Sequence, residues 1–134
     1  MKKLVMLFCL ALGLSVTTLA EGDHSETVCS VSNAAVCAHL GHFSTINTSV
    51  EGQFMAHVMT PENAEISDFS IDLWMDMGSG HSHGSAPLEW TRVDVNKYQV
   101  KNAWFVMPGV WQVRLKFNLK GQAHSLIIRL PVKP

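Results

Sequence analysis

The sequence predicts an all-β protein of about seven short antiparallel strands. Residues 66–77 and residues 111–119 alternate apolar and polar side chains with the two-residue period of a strand that buries one face. Turn residues divide the other β-rich segments into consecutive hairpins, and no segment has a convincing helical period. One-sided strands joined by hairpins favour an immunoglobulin-like antiparallel β-sandwich over a closed barrel.

The N-terminus has the organisation of a cleavable secretory signal peptide. Lys2 and Lys3 precede an apolar run over residues 4–16, and residues 18–20 place small side chains where a signal peptidase cleaves. We therefore expect residues 1–20 to be a signal peptide and the protein to be periplasmic or secreted. The apolar run is short for a bilayer crossing and no second long apolar stretch follows, so we expect no membrane span after cleavage.

Residues 21–42 show no sustained period, and we expect them to form an irregular N-terminal arm. Within this arm, Cys29 and Cys37 are expected to form a local disulfide in an oxidising compartment. A zinc site that combines these thiolates with His39 and His42, or with His24, is the less favoured alternative. The spacing of the two cysteines is wider than that of paired zinc ligands. Metal binding by His39 and His42 beside a disulfide stays open.

Residues 43–134 are expected to form the β-sandwich domain. Strands are predicted over residues 43–50, 53–60, 66–77, 90–95, 98–107 and 111–119, and a last strand carries Leu126, Ile128 and Leu130. Glu51-Gly52 and Asn96-Lys97 are predicted as two-residue turns, with further turns at Pro108-Gly109 and over residues 120–122. The alternation assigns five residues to the core that the two sheets share: Phe69, Leu73, Val113, Leu115 and Ile128.

Soft metal donors gather near the end of the strand over residues 66–77. Met75 and Met77 end that strand, His81 and His83 follow in a glycine-containing loop, and Met107 precedes a later turn. Thioether sulfur and imidazole nitrogen without carboxylates suit copper, and Cu(I) in particular, better than calcium or magnesium. The alternatives are structural: the methionines keep the inward parity of core residues, and loop histidines are commonly solvated.

Two motifs carry a resemblance to a known family. They are Met75-Asp76-Met77-Gly78 with His81, and the sequence FVMPGVW over residues 105–111. Together they resemble the FixH-like and YtkA-like small extracytoplasmic domains. The resemblance implies an immunoglobulin-type sandwich, a role in copper handling or respiratory oxidase assembly, and metal binding by Met75, Met77, His81 and Met107, with His83 as a local addition. The chain differs from the family in two respects. Membrane-anchored relatives keep a transmembrane helix, which we do not expect here after cleavage. Gly78-Ser79-Gly80 also stands where the family loop usually contains another proline or methionine.

Other function classes have little support in the sequence. The formal net charge is −1 with scattered charges, so no nucleic-acid partner is expected. The sequence contains neither the nucleophile elbow of the hydrolases nor the HExxH helix motif of zinc proteases, so no enzymatic activity is expected. Two hypotheses are left: a copper carrier or chaperone with an unidentified, copper-receiving protein partner, and a structural or protein-interaction module that binds no metal.

Overall fold

The computed structural model describes residues 26–78 and 80–134, and these residues form a β-sandwich. The strands of this part of the chain are β1 (Val28–Cys29), β2 (Cys37–Gly41), β3 (Gly52–Met59), β4 (Ser67–Gly78), β5 (His81–Gly84), β6 (Glu89–Asp94), β7 (Lys97–Ala103), β8 (Gly109–Leu119) and β9 (Gln122–Val132). A 3-10 turn, Pro61–Asn63, precedes β4. The predicted signal peptide lies outside the described residues.

The strands make two antiparallel sheets. The first sheet has the order β1-β2-β3-β7-β6, and the second has the order β5-β4-β8-β9. This is the immunoglobulin arrangement. Strands β2, β3, β7 and β6 correspond to strands A, B, E and D of one sheet, and β4, β8 and β9 correspond to C, F and G of the other, with β5 as an added C′ strand. The predicted fold class is confirmed, although the described residues form nine strands rather than about seven.

The core lies between the sheets and follows the predicted alternation. Leu73, Val113, Leu115 and Ile128 are all buried, as expected. Phe69 is only half-buried, and it lies in the part of β4 where the register shifts between Ser67 and Ser70. Its ring still packs against the core and stacks on Tyr98 at a centroid distance of 3.8 Å.

The predicted strand over residues 43–50 is wrong. This segment contributes one isolated bridge, between Asn47 and Lys133, and no strand. Gly52 is the first residue of β3 and not part of a hairpin turn. A Cβ at this position would meet the Ile46 side chain at 3.0 Å, so the close packing there favours glycine. Phe43 and Ile46 pack against the core from this irregular segment, which explains their apolar character without a strand.

The expectation of an irregular arm before residue 43 is wrong for β1 and β2. Val36, Ala38 and Leu40 are buried, so this stretch alternates inward apolar residues with outward cysteine and histidine. β2 pairs with β3, and the sandwich therefore begins earlier than predicted. The predicted disulfide is confirmed: Cys29 and Cys37 are bonded across the β1–β2 pair with their Cα atoms 3.9 Å apart.

One further finding concerns membranes. Across residues 26–78 and 80–134, the chain forms no helix with the length and apolarity that a bilayer crossing requires.

Candidate metal centre

The histidines that follow β4 lie in a strand and not in the expected loop. β5 pairs with β4 in an antiparallel hairpin, so that Met75 lies opposite His83 and Gly78 lies opposite His81. Directly opposed residues of such a pair share one face and have neighbouring Cβ atoms. Pairing with β4 thus holds the His83 backbone beside Met75, while a register shift between Asp76 and Gly78 separates His81 from that arrangement.

The FVMPGVW segment is organised around a buried tryptophan. Trp111 is fully buried, and its ring meets the Phe105 ring edge-to-face at a centroid distance of 5.5 Å. The indole N–H of Trp111 donates a hydrogen bond of 2.9 Å to the Met107 carbonyl oxygen. This bond closes the turn before β8 and fixes the backbone of Met107, whose side chain is half-buried against the core.

Both the backbone conformation and the close packing at position 109 favour glycine. Its φ of 132° lies in the region that residues with a side chain rarely adopt. A Cβ at this position would also overlap the terminal Cε methyl group of Met75. The thioether of Met75 therefore lies against the turn that carries Met107, and the glycine leaves the space that this contact requires.

These contacts make neighbours of the elements that carry part of the predicted ligand set. β4 is flanked by β5 on one side and by β8 on the other, so Met75 lies between the strand that carries His83 and the turn that carries Met107. Met75 is buried, with 8% of its surface exposed, whereas Met77 is 53% exposed. We call the five residues Met75, Met77, His81, His83 and Met107 the methionine pole. Met77 and His81 lie at its outer edge, beyond the register shift in β4.

Oxygen and thiolate donors contribute little at this pole. The Asp76 carboxylate accepts a hydrogen bond of 2.9 Å from the Gly78 amide, and the alternation of β4 directs it to the opposite face from Met75. Among the described residues, no group of three or more histidine, cysteine or acidic side chains is arranged to hold a metal ion. Metal binding here would therefore depend on the thioethers.

A second histidine cluster lies on the outer face of the first sheet. His39 in β2 is directly opposite His57 in β3, and their rings meet edge-to-face at a centroid distance of 5.2 Å. The two rings and Met55 line a cavity of about 330 Å³ together with Lys97. Burial, followed by the charges of His39 and Lys97, lowers the pKa of His57 below 6.5, and Asp94 opposes this in part. The oxidised cysteines supply no thiolate to this cluster.

Met55 and His57 are the residues that the sequence interpretation did not select. Their strand was predicted nearly correctly, and both occupy its polar-facing positions between Phe54, Ala56 and Val58. The available signal was the alternation itself, since His39 and His57 both occupy outward positions of apolar strands. This signal did not reveal the pair, because residues 43–50 were predicted as the strand beside β3, where the structure has β2.

Comparisons with protein-family models, with curated proteins and with solved structures gave no match to this chain. The resemblance to FixH-like and YtkA-like domains therefore stays an interpretation of the two motifs, and the functional argument depends on the residues themselves.

Proposed function

We propose that the protein is an extracytoplasmic copper carrier or chaperone that binds Cu(I) at the methionine pole. The observation that carries the proposal is the contact of Met75 with Gly109, which unites the end of β4 with the turn that holds Met107. His83 lies opposite Met75 on the other flank of β4. This arrangement supports a shared site, because residues that are distant in sequence are carried by neighbouring elements at one end of the same sheet.

The donor chemistry supports copper in its reduced state. Thioethers are soft ligands that select Cu(I), and imidazole is a suitable partner, whereas calcium and magnesium require oxygen ligands. The Cys29–Cys37 disulfide is consistent with an oxidising compartment outside the cytoplasm. Within the resemblance to FixH-like and YtkA-like domains, the cargo would pass to a copper-receiving protein, with respiratory oxidase assembly as the corresponding process.

The test is a Cu(I) titration of the purified protein against a colorimetric chelator. Replacing Met75, Met77 and Met107 together by leucine keeps the side-chain volumes nearly constant and removes the three thioethers. We expect this triple variant to bind one Cu(I) fewer per chain than the wild type. Met107→Ala alone should weaken the site by about tenfold or more, which equals about 1.4 kcal/mol. An unchanged stoichiometry and affinity in the triple variant would reject the proposal.

Met59→Leu provides the matched control. Met59 is a half-buried methionine on the outer face of β3, where it pairs with Cys37, and it belongs to the other sheet. Its replacement should leave the affinity of the methionine pole for Cu(I) unchanged. Urea unfolding of each variant separates lost binding from lost folding.

A second candidate function, a protein-interaction module without metal, is favoured by one observation. Trp104, Val106 and Val110 flank the Met107 turn and are each between 44% and 56% exposed. Exposed apolar side chains that cluster in this way are typical of interaction surfaces. Under this alternative Met75 is a packing residue only, and Cu(I) titration would detect no binding that depends on the thioethers.

A further inference from the structure

The outer face of the first sheet presents histidines and a methionine in adjacent rows. His39 and His57 form one cross-strand row, and Gly41 and Met55 form the next. Diagonal neighbours on such a face are about 7 to 8 Å apart, which long side chains span. Met55 is thus a diagonal neighbour of His39, and it shares its strand face with His57.

We propose that His39, His57 and Met55 form a second soft-cation site that binds Cu(I). The three side chains line a single cavity of about 330 Å³, which contains no residue of the methionine pole. Two imidazoles on opposed positions of paired strands form a preorganised pair, because sheet hydrogen bonds hold both backbones. A thioether as the third donor selects Cu(I) among the metals that imidazole binds.

Glycine at position 41 leaves room for this arrangement. A Cβ built on Gly41 would meet no atom within 4 Å, so the space beside Met55 is open. The Met55 side chain has three rotatable bonds, so its thioether can be directed toward the imidazoles across this gap without moving the backbone. Both imidazole rings are half-buried and line this cavity.

The charges around the cavity favour a monovalent cation. None of the described residues that line it is acidic, and Lys97 lies opposite His57 on the β7 side. An ammonium group repels a dication about twice as strongly as a monocation at the same distance.

The experiment isolates this site from the methionine pole. In the triple variant that lacks the thioethers of Met75, Met77 and Met107, we expect one Cu(I) to bind per chain. Adding His39→Gln and His57→Gln should weaken this binding by at least about tenfold, and Met55→Leu should weaken it less. Met59→Leu, on the same face of β3 but outside the cavity, is the control and should have no effect.

The outcomes distinguish this inference from the proposed function. It is overturned if the triple variant binds no Cu(I), or if the two glutamine substitutions leave its affinity unchanged. Zn(II) binding that displaces Cu(I) from these histidines would also overturn it. Failure of the proposed function has a different signature, namely equal Cu(I) stoichiometry in the wild type and the triple variant. A titration with Ag(I), monitored through the ring-nitrogen NMR signals of His39 and His57, gives a second readout. We expect the signals of both rings to shift together as Ag(I) is added.

Discussion

Replacing Gly109 by alanine tests the contact that unites the methionine pole. The new methyl group would overlap the Cε methyl of Met75, and alanine would have to adopt a φ of 132°. Backbone strain of this kind costs about 1 to 3 kcal/mol, and overpacking of a core costs about 1 to 3 kcal/mol. The end of Met75 is flexible and relieves part of the overlap. We therefore expect the variant to lose about 2 to 4 kcal/mol of unfolding free energy.

Urea denaturation of two further variants separates the two effects. Gly121→Ala also places alanine at a positive φ, of 79°, but meets no atom within 4 Å, so its loss should be about 1 kcal/mol. In a Met75→Ala background the overlap disappears, and Gly109→Ala should then cost about 1 to 2 kcal/mol less than in the wild type. Equal losses for the two glycine variants, with no coupling to Met75, would refute the reasoning.

Three other predictions concern stability and titration. Asn96→Ala should cost about 2 to 4 kcal/mol in urea denaturation, because this fully buried amide accepts a 2.9 Å hydrogen bond from the Ile66 N–H and donates one of 2.8 Å to the Ala64 carbonyl. A loss as small as that of a surface substitution would contradict this prediction. Replacing both disulfide cysteines by serine should cost about 2 to 3 kcal/mol from the short loop alone, and an unchanged urea midpoint would argue against that. In metal-free protein the pKa of His57 measured by an NMR titration should lie below 6.5, and it should rise in His39→Gln because one of the charges that lower it is removed. Because the lowered pKa means that the folded state binds fewer protons than the unfolded state, the free energy of unfolding should fall as the pH drops through 6.5.

The sequence predicts the second sheet well because its strands carry their information locally. β4, β8 and β9 alternate clearly, and each buries one face against the other sheet, so period alone locates them. β8 and β9 are also adjacent in the chain, and a short turn at Lys120-Gly121 connects them. In these strands the local pattern and the tertiary packing agree.

The first sheet is harder to predict because its pairing is not local. β3 pairs with β7, which follows it by some forty residues, and no local pattern encodes such a neighbour. β2 has only five residues, and its cysteine and histidine side chains obscure the alternation of Val36, Ala38 and Leu40. Once β2 is missed, the pairing of His39 with His57 is invisible, and so is the cavity that they share with Met55.

The candidate site can be predicted from the sequence only in part. Residue chemistry alone selects Met75, Met77 and Met107 as soft donors. The burial of Met75 and the exposure of Met77 depend on where β4 leaves the sandwich, which the period does not reveal. The pairing of His83 with Met75 likewise depends on a four-residue edge strand that is too short to show a period.

The central claim is that separate methionines share one Cu(I) ion at the end of the sandwich. Methyl-resolved NMR of methionine-labelled protein during a Cu(I) titration tests it most directly, in the His39→Gln/His57→Gln background that removes the second proposed site. The account predicts that the methyl signals of Met75, Met77 and Met107 shift together and saturate at one equivalent, while the Met59 signal does not move. Unshifted signals for all three, or shifts that follow different titration curves, would contradict it.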